Sequence, residues 1–218
     1  MADTPHYRRR VWDPVVRVLH WWMAITLLVQ IALAIMIMSE DALGMSEAGE
    51  HTLVDVHATF GTLFAIGLLA RLVWLFAAPG SGSWRDLLPV TAAQRQTLSA
   101  TLRHYFGGFR GEGPLYWAHN PLAGLIYAAF FVVAVVQVVT GGSMFLLGDD
   151  ELGEAWMELH ELGFWLIVIY VVAHVVMVAI HELTEGRGLI SAMVNGHKLF
   201  RADDLERGPG AANEEDSH

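Results

Sequence analysis

The sequence predicts an all-α integral membrane protein, a four-helix bundle with both termini on the cytoplasmic side. Three observations predict it. Four long apolar runs dominate a 218-residue chain in which 17% of residues are charged and mean hydropathy is +0.42. A soluble domain carries about 25% charged residues. Every lysine and arginine lies outside two of the three loops between the runs, and four histidines lie inside the runs at depths that match in pairs.

The runs cover residues 15–38, 53–77, 121–147 and 157–180. Each reaches the ~20 residues that cross ~30 Å of hydrocarbon at a rise of 1.5 Å per residue. Backbone polar groups in lipid must be satisfied within the segment, so the runs are helices rather than strands. Arg8, Arg9 and Arg10 resemble the charged start of a signal peptide. The run after them is too long, and no small-residue cleavage site follows, so it reads as a retained first helix. The long second loop holds an amphipathic stretch at 91–106, with Leu98, Leu102 and Phe106 on one side. It suits either a helix lying on the membrane surface or a solvated loop helix. Trp12, Trp74, Trp84, Trp117 and Trp156 fall at the expected interfaces, as an aromatic belt would. Residues 1–200 read as one membrane domain, and 201–218 as a disordered cytoplasmic tail, polar and acidic.

Orientation follows from the basic residues. All thirteen lie in the N-terminal segment, the long second loop with the adjoining end of helix two, or the C-terminal segment. The loops at 39–52 and 148–156 hold none, so these two face outward and the termini face the cytoplasm. The net charge of −10 does not indicate an acidic soluble protein, because most of the charges lie outside the apolar runs. No dense basic patch invites nucleic acid. The chain has no cysteine. Disulfides, thiolate metal sites, cysteine-ligated iron–sulfur clusters and covalently attached haem are therefore excluded.

Ionisable groups inside a membrane helix are costly and mark function. His20 lies near the cytoplasmic start of helix one, and His174 near the cytoplasmic end of helix four. His57 lies near the outer start of helix two, and His160 near the outer start of helix four. His20 therefore shares a depth with His174, and His57 with His160. Fourteen residues separate His160 from His174. At ~100° per residue they share a face, ~21 Å apart along the axis. A haem needs one axial ligand above its iron and one below, and each level supplies two imidazoles. Zinc would ask for four ligands. One such histidine would be an ordinary helix-to-helix hydrogen bond, but four matched in depth and facing point to two haems. Gly61, Ala24 and Gly163 stand about a turn beyond their histidines, where they give a porphyrin room or simply let helices approach. Arg71, fourteen residues after His57, is a candidate partner for a propionate of the inner haem, and Arg17 is a second. Either could instead snorkel at the interface.

Residues 10–22 (RVWDPVVRVLHWW), 56–74 with their histidine and arginine, 118–125 (AHNPLAGL), the 160–174 helix and 190–198 (ISAMVNGHK) recur in an order that resembles a known family. That family is the bacterial cytochrome b561 family, in particular the b-type cytochrome subunit of membrane-bound nickel–iron hydrogenases. The resemblance covers nearly the whole chain. It implies a di-haem cytochrome of the bacterial inner membrane, an electron-transfer subunit rather than a stand-alone enzyme, with two non-covalent b-type haems on His20/His174 and His57/His160. Ala118 stands where the family usually shows glycine. The resemblance also implies a quinone near the start of helix three, at His119 and Asn120, although Asn120 before Pro121 is equally a helix-start signal.

Electrons would pass between a periplasmic redox partner, such as a c-type cytochrome or a hydrogenase-like complex, and the quinone pool, in either direction. The outer loops carry Glu40, Asp41, Glu47, Glu50, Asp149, Asp150, Glu151 and Glu154. These acids would either dock a basic partner or merely solvate the loops. A superoxide:quinone oxidoreductase is the alternative function, but an acidic outer face would repel an anionic substrate. A histidine-bearing metal transporter would need a polar pathway, and the runs offer little beyond Gln30 and Gln137.

Overall fold

The computed structural model describes residues 6–108, 116, 119–148, 153–185 and 188–202. In chain order come strand β1 (His6–Arg10), helices α1 (Pro14–Ile37), α2 (Glu40–Leu43) and α3 (Glu47–Ala77), and a 3-10 turn at Gly80–Gly82. Helices α4 (Trp84–Leu87), α5 (Ala92–Phe106), α6 (Pro121–Leu147), α7 (Glu154–Glu185) and α8 (Leu189–Asn195) follow, and strand β2 (His197–Arg201) closes the order. Helices α1, α3, α6 and α7 are each long and apolar enough to cross a membrane. Two of them outrun the apolar segments that signal them. Helix α3 begins at Glu47 rather than near 53, and α7 runs over Glu154–Glu185 rather than 157–180. Backbone hydrogen bonding continues past the apolar limit, and Glu47, Glu50 and Glu154 sit in first turns where the helix dipole favours acids. His51, expected in the outer loop, therefore lies on α3.

The chain divides into two compact units. One comprises Val18–Val73 and Phe130–His174. Its core is Met23 and Leu27 of α1, Phe64 and Leu68 of α3, Ala134 of α6 and Ile167 of α7. Helices α1 and α3 approach closely because Gly67 leaves room for the Trp22 indole, whose Nε1 donates to the Leu63 carbonyl at 2.8 Å. Large apolar side chains point outward, with Val18, Leu69, Val132 and Ile169 each more than 60% exposed. Arg71, Thr26 and Thr140 are buried. Apolar side chains thus form both the core and the exterior, and an apolar exterior is what lipid selects.

The other unit comprises Met1–Arg17, Trp74–Ala129 and Val175–His218. Its core contains Trp12, Val16 and Ala192, with Trp74 and Met193 packed against them. Trp12 is thus a core residue, not a member of a lipid-facing belt, and Trp74 Nε1 approaches Asp13 Oδ2 at 3.4 Å. Trp117 lies outside the described residues. Asp13 caps α1 by accepting from the Val16 amide at 2.9 Å, with Pro14 at the first helical position. Strands β1 and β2 pair antiparallel, Tyr7 opposite Phe200 and Arg9 opposite Lys198. The all-α pattern of the sequence does not signal these strands. The turn into β2 needs Gly196, whose φ is 85° and whose carbonyl accepts from the Val11 amide at 2.8 Å. Helix α5 has the expected extent, with a Thr91/Gln94 capping box. Its buried residues are Thr97 and Thr101, while Phe106 is 90% exposed. Residues 203–218 of the expected tail lie outside the described residues.

Candidate functional site: two opposed histidine pairs

The four histidines meet as their depths imply. The His20 and His174 ring centres lie 6.4 Å apart at an interplanar angle of 55°, and those of His57 and His160 lie 6.4 Å apart at 79°. All four are half-buried. Subtracting the two ring radii leaves about 4 Å between the facing edges, twice a metal–imidazole bond of about 2.0 Å. Among the described residues no group of three or more histidine, cysteine or acidic side chains could hold a metal ion. Each pair therefore offers two ligands, the number a haem iron takes from protein.

The surroundings of the pairs differ. At His20/His174, Tyr170 stacks on His174 with ring centres 5.8 Å apart, and Phe130 stacks on Tyr170 at 4.4 Å. Buried Arg71 lies within electrostatic reach of His20 and has its guanidinium 5.7 Å from the Phe131 ring. At His57/His160 the neighbours are amides. Gln30 Nε2 donates to the His57 carbonyl at 2.9 Å, and a Cβ on Gly61 would meet that nitrogen at 2.6 Å. A Cβ on Gly163 would meet Gln137 Oε1 at 2.6 Å. The two glycines seat glutamine side chains beside the histidines. Gln30 Oε1, Gln137 Oε1 and His57 Nδ1 are buried without a hydrogen-bond partner. Each such atom costs about 1–3 kcal/mol unless something satisfies it. The opposed imidazoles, two at each level, are the donor set that a haem iron takes from protein, and the residues present suit the group.

Sequence reasoning missed Thr140 and Gly141 on α6. Thr140 Oγ1 lies 2.8 Å from His160 Nδ1, and a Cβ on Gly141 would come within 2.9 Å of His160 Cε1. The signal was a threonine–glycine pair in an apolar run, which periodicity does not single out.

The remaining candidates belong to the other unit. Arg17 Nη1 donates to the Val194 carbonyl at 2.5 Å, while its Nε is buried without a hydrogen-bond partner. His119 Nδ1 lies 2.6 Å from Asp86 Oδ2, and its ring packs edge-on to Trp12 with centres 4.8 Å apart. Asn120 Oδ1 accepts from the Leu122 amide at 2.9 Å, which is the helix-start role, while its Nδ2 donates to Tyr105 Oη at 3.0 Å. Tyr105 Oη in turn lies 3.0 Å from His181 Nε2. His181 of α7 thus joins a polar chain with Asn120. Ala118, Asp149, Asp150, Glu151 and His218 lie outside the described residues.

The family model described as prokaryotic cytochrome b561 matches residues 11–196. A probable Ni/Fe-hydrogenase B-type cytochrome subunit of Cupriavidus necator is 29% identical, over 88% of this chain and 87% of that one. A protein of the same description from Azotobacter vinelandii is 29% identical, over 88% and 89%. The probable Ni/Fe-hydrogenase 1 B-type cytochrome subunit of Escherichia coli K12 is 26% identical, over 93% and 95%. No solved structure gives a significant match.

Proposed function

The chain belongs to the prokaryotic cytochrome b561 family, and from that premise we propose that it holds two b-type haems and carries electrons between a periplasmic redox complex and the quinone pool. It is a multi-pass membrane b-type cytochrome of electron transfer. One haem would sit between His20 and His174 and the other between His57 and His160. The observation that carries this is the common 6.4 Å separation of two opposed imidazole pairs in one apolar unit. When bound, each haem supplies a one-electron ferric/ferrous couple. The chain's own residues orient it. Arg71 offers a buried charge to a propionate at the His20/His174 level. Tyr170, stacked on His174, and Phe130, stacked on Tyr170, would pack beside it.

The relatives' description as hydrogenase subunits supports a hydrogenase-type complex as the partner. The membrane would be the bacterial inner membrane, with both termini cytoplasmic. Asp41, Glu47 and Glu154 are exposed, and with Glu40 and Glu50 they would present an acidic periplasmic surface to a basic partner. Electron transfer with such a partner should slow between low and physiological salt. At the quinone end, His119 engages Asp86 through Nδ1, leaving Nε2 to donate to a carbonyl oxygen, and Asn120 lies beside it. The test of the core reading is a redox-titrated visible spectrum of the purified protein. Two haems per chain with bis-imidazole bands are expected. A reconstituted preparation that stays colourless, or holds one haem per chain, would end it.

A further inference from the structure

We infer that Thr140 sets the tautomer and the ligand strength of His160, and so lowers the potential of the haem held by His57 and His160. The inference rests on the proposed ligation and adds a residue that ligation alone does not involve. Thr140 is 1% exposed. Its Oγ1 lies 2.8 Å from the Val136 carbonyl and 3.2 Å from the Gln137 carbonyl, the preceding turn of α6. A hydroxyl has one hydrogen, and carbonyl oxygens only accept. The Thr140 hydrogen is therefore spent on its own helix. What Oγ1 presents to His160 Nδ1, 2.8 Å away, is a lone pair. His160 Nδ1 must then carry the ring hydrogen, and Nε2 is left as the free donor for iron.

Two further features hold the arrangement. Gly141 provides the space for the ring, since a Cβ there would press on His160 Cε1. Trp156 Nε1 donates to the Thr140 carbonyl at 3.2 Å, tying the start of α7 to the same turn. His57, the opposed ligand, has its Nδ1 buried without a partner. The two histidines of this level are therefore unequal, and would hold a haem unequally. A hydrogen bond accepted from the non-ligating nitrogen orients the imidazole and raises its basicity. A more basic ligand favours ferric iron and lowers the potential.

The experiment compares Thr140→Val and Thr140→Ser in the full chain in native membranes, by redox titration of each haem and by the low-temperature electron paramagnetic resonance of the ferric form. Valine keeps the shape and removes the acceptor. The midpoint of one haem should rise, with the reduction equilibrium shifted about three- to tenfold at about 59 mV per decade. Its resonance should shift, and the other haem should be unchanged. Serine should behave as threonine. Loss of the haem in the valine variant alone supports the same role. Wild-type potentials in the valine variant would overturn the inference, as would a serine variant that behaves like valine. His160→Ala tests the underlying ligation separately. If both haems survive that substitution, the ligation fails, whatever Thr140 does.

Discussion

In the unit of Val18–Val73 and Phe130–His174, four histidines face one another in two pairs. In the unit of Met1–Arg17, Trp74–Ala129 and Val175–His218, histidines are joined to other side chains by hydrogen bonds. His20 faces His174, and His57 faces His160, each across a gap wider than a hydrogen bond. Asp86 meets His119 at 2.6 Å, and Asn120, Tyr105 and His181 connect at 3.0 Å steps. The first arrangement suits a group inserted between two ligands. The second suits proton movement, because hydrogen bonds already join the members. Under the proposed function, quinone chemistry needs both electrons and protons, and one task would fall to each unit.

The comparison can be broken most directly at a ligand. His57→Ala should remove one of two haems and leave the His20/His174 haem with its spectrum intact, as counted by haem per chain. Loss of neither haem would show that facing rings are not ligands. Next comes Gly124, whose added Cβ would collide with the Leu87 carbonyl. Gly124→Ala should destabilise the loop-bearing unit by about 1–3 kcal/mol, as overpacking does. Gly142→Ala, with nothing within 4 Å of an added Cβ, is the matched control. Thermal unfolding of the two variants should separate them clearly.

Asp86→Asn should sharpen the division. It removes the charge facing His119 and should slow quinone reduction about tenfold, the worth of one charge-assisted hydrogen bond. Haem content and both midpoints should stay at wild type, measured on the same membranes. A changed midpoint would mean that the two units do not divide the work this way.

The smallest effect concerns Glu40, in the helix between α1 and α3. Desolvation, then the Glu50 carboxylate that shares a hydrogen bond with it, then Asp41, raise its pKa. A raised folded-state value disfavours the ionised form. The resulting penalty is absent at acidic pH, sets in as pH rises through the ordinary carboxylate range, and is complete above the raised value. The unfolding midpoint of Glu40→Gln, followed from about pH 4 to 7, should lack that dependence. Parallel curves for the variant and the wild type would remove Glu40 from the acidic cluster.

Sequence alone determined the four spanning helices and the histidine quartet. A helix in lipid must be apolar for its full crossing, so hydropathy marks it. Helices that cross the same slab convert position along the chain into height, so depth paired His20 with His174 and His57 with His160. Tertiary structure alone decided what stands beside each ring. Thr140 reaches His160 from a different helix, Gly61 and Gly163 make room for glutamines, and Trp12 turns inward. The β1–β2 pairing joins segments almost two hundred residues apart, and Tyr105 finds Asn120 and His181 only once three separate segments meet. Such contacts depend on how helices rotate and close against one another, and no local pattern along a single chain carries that rotation.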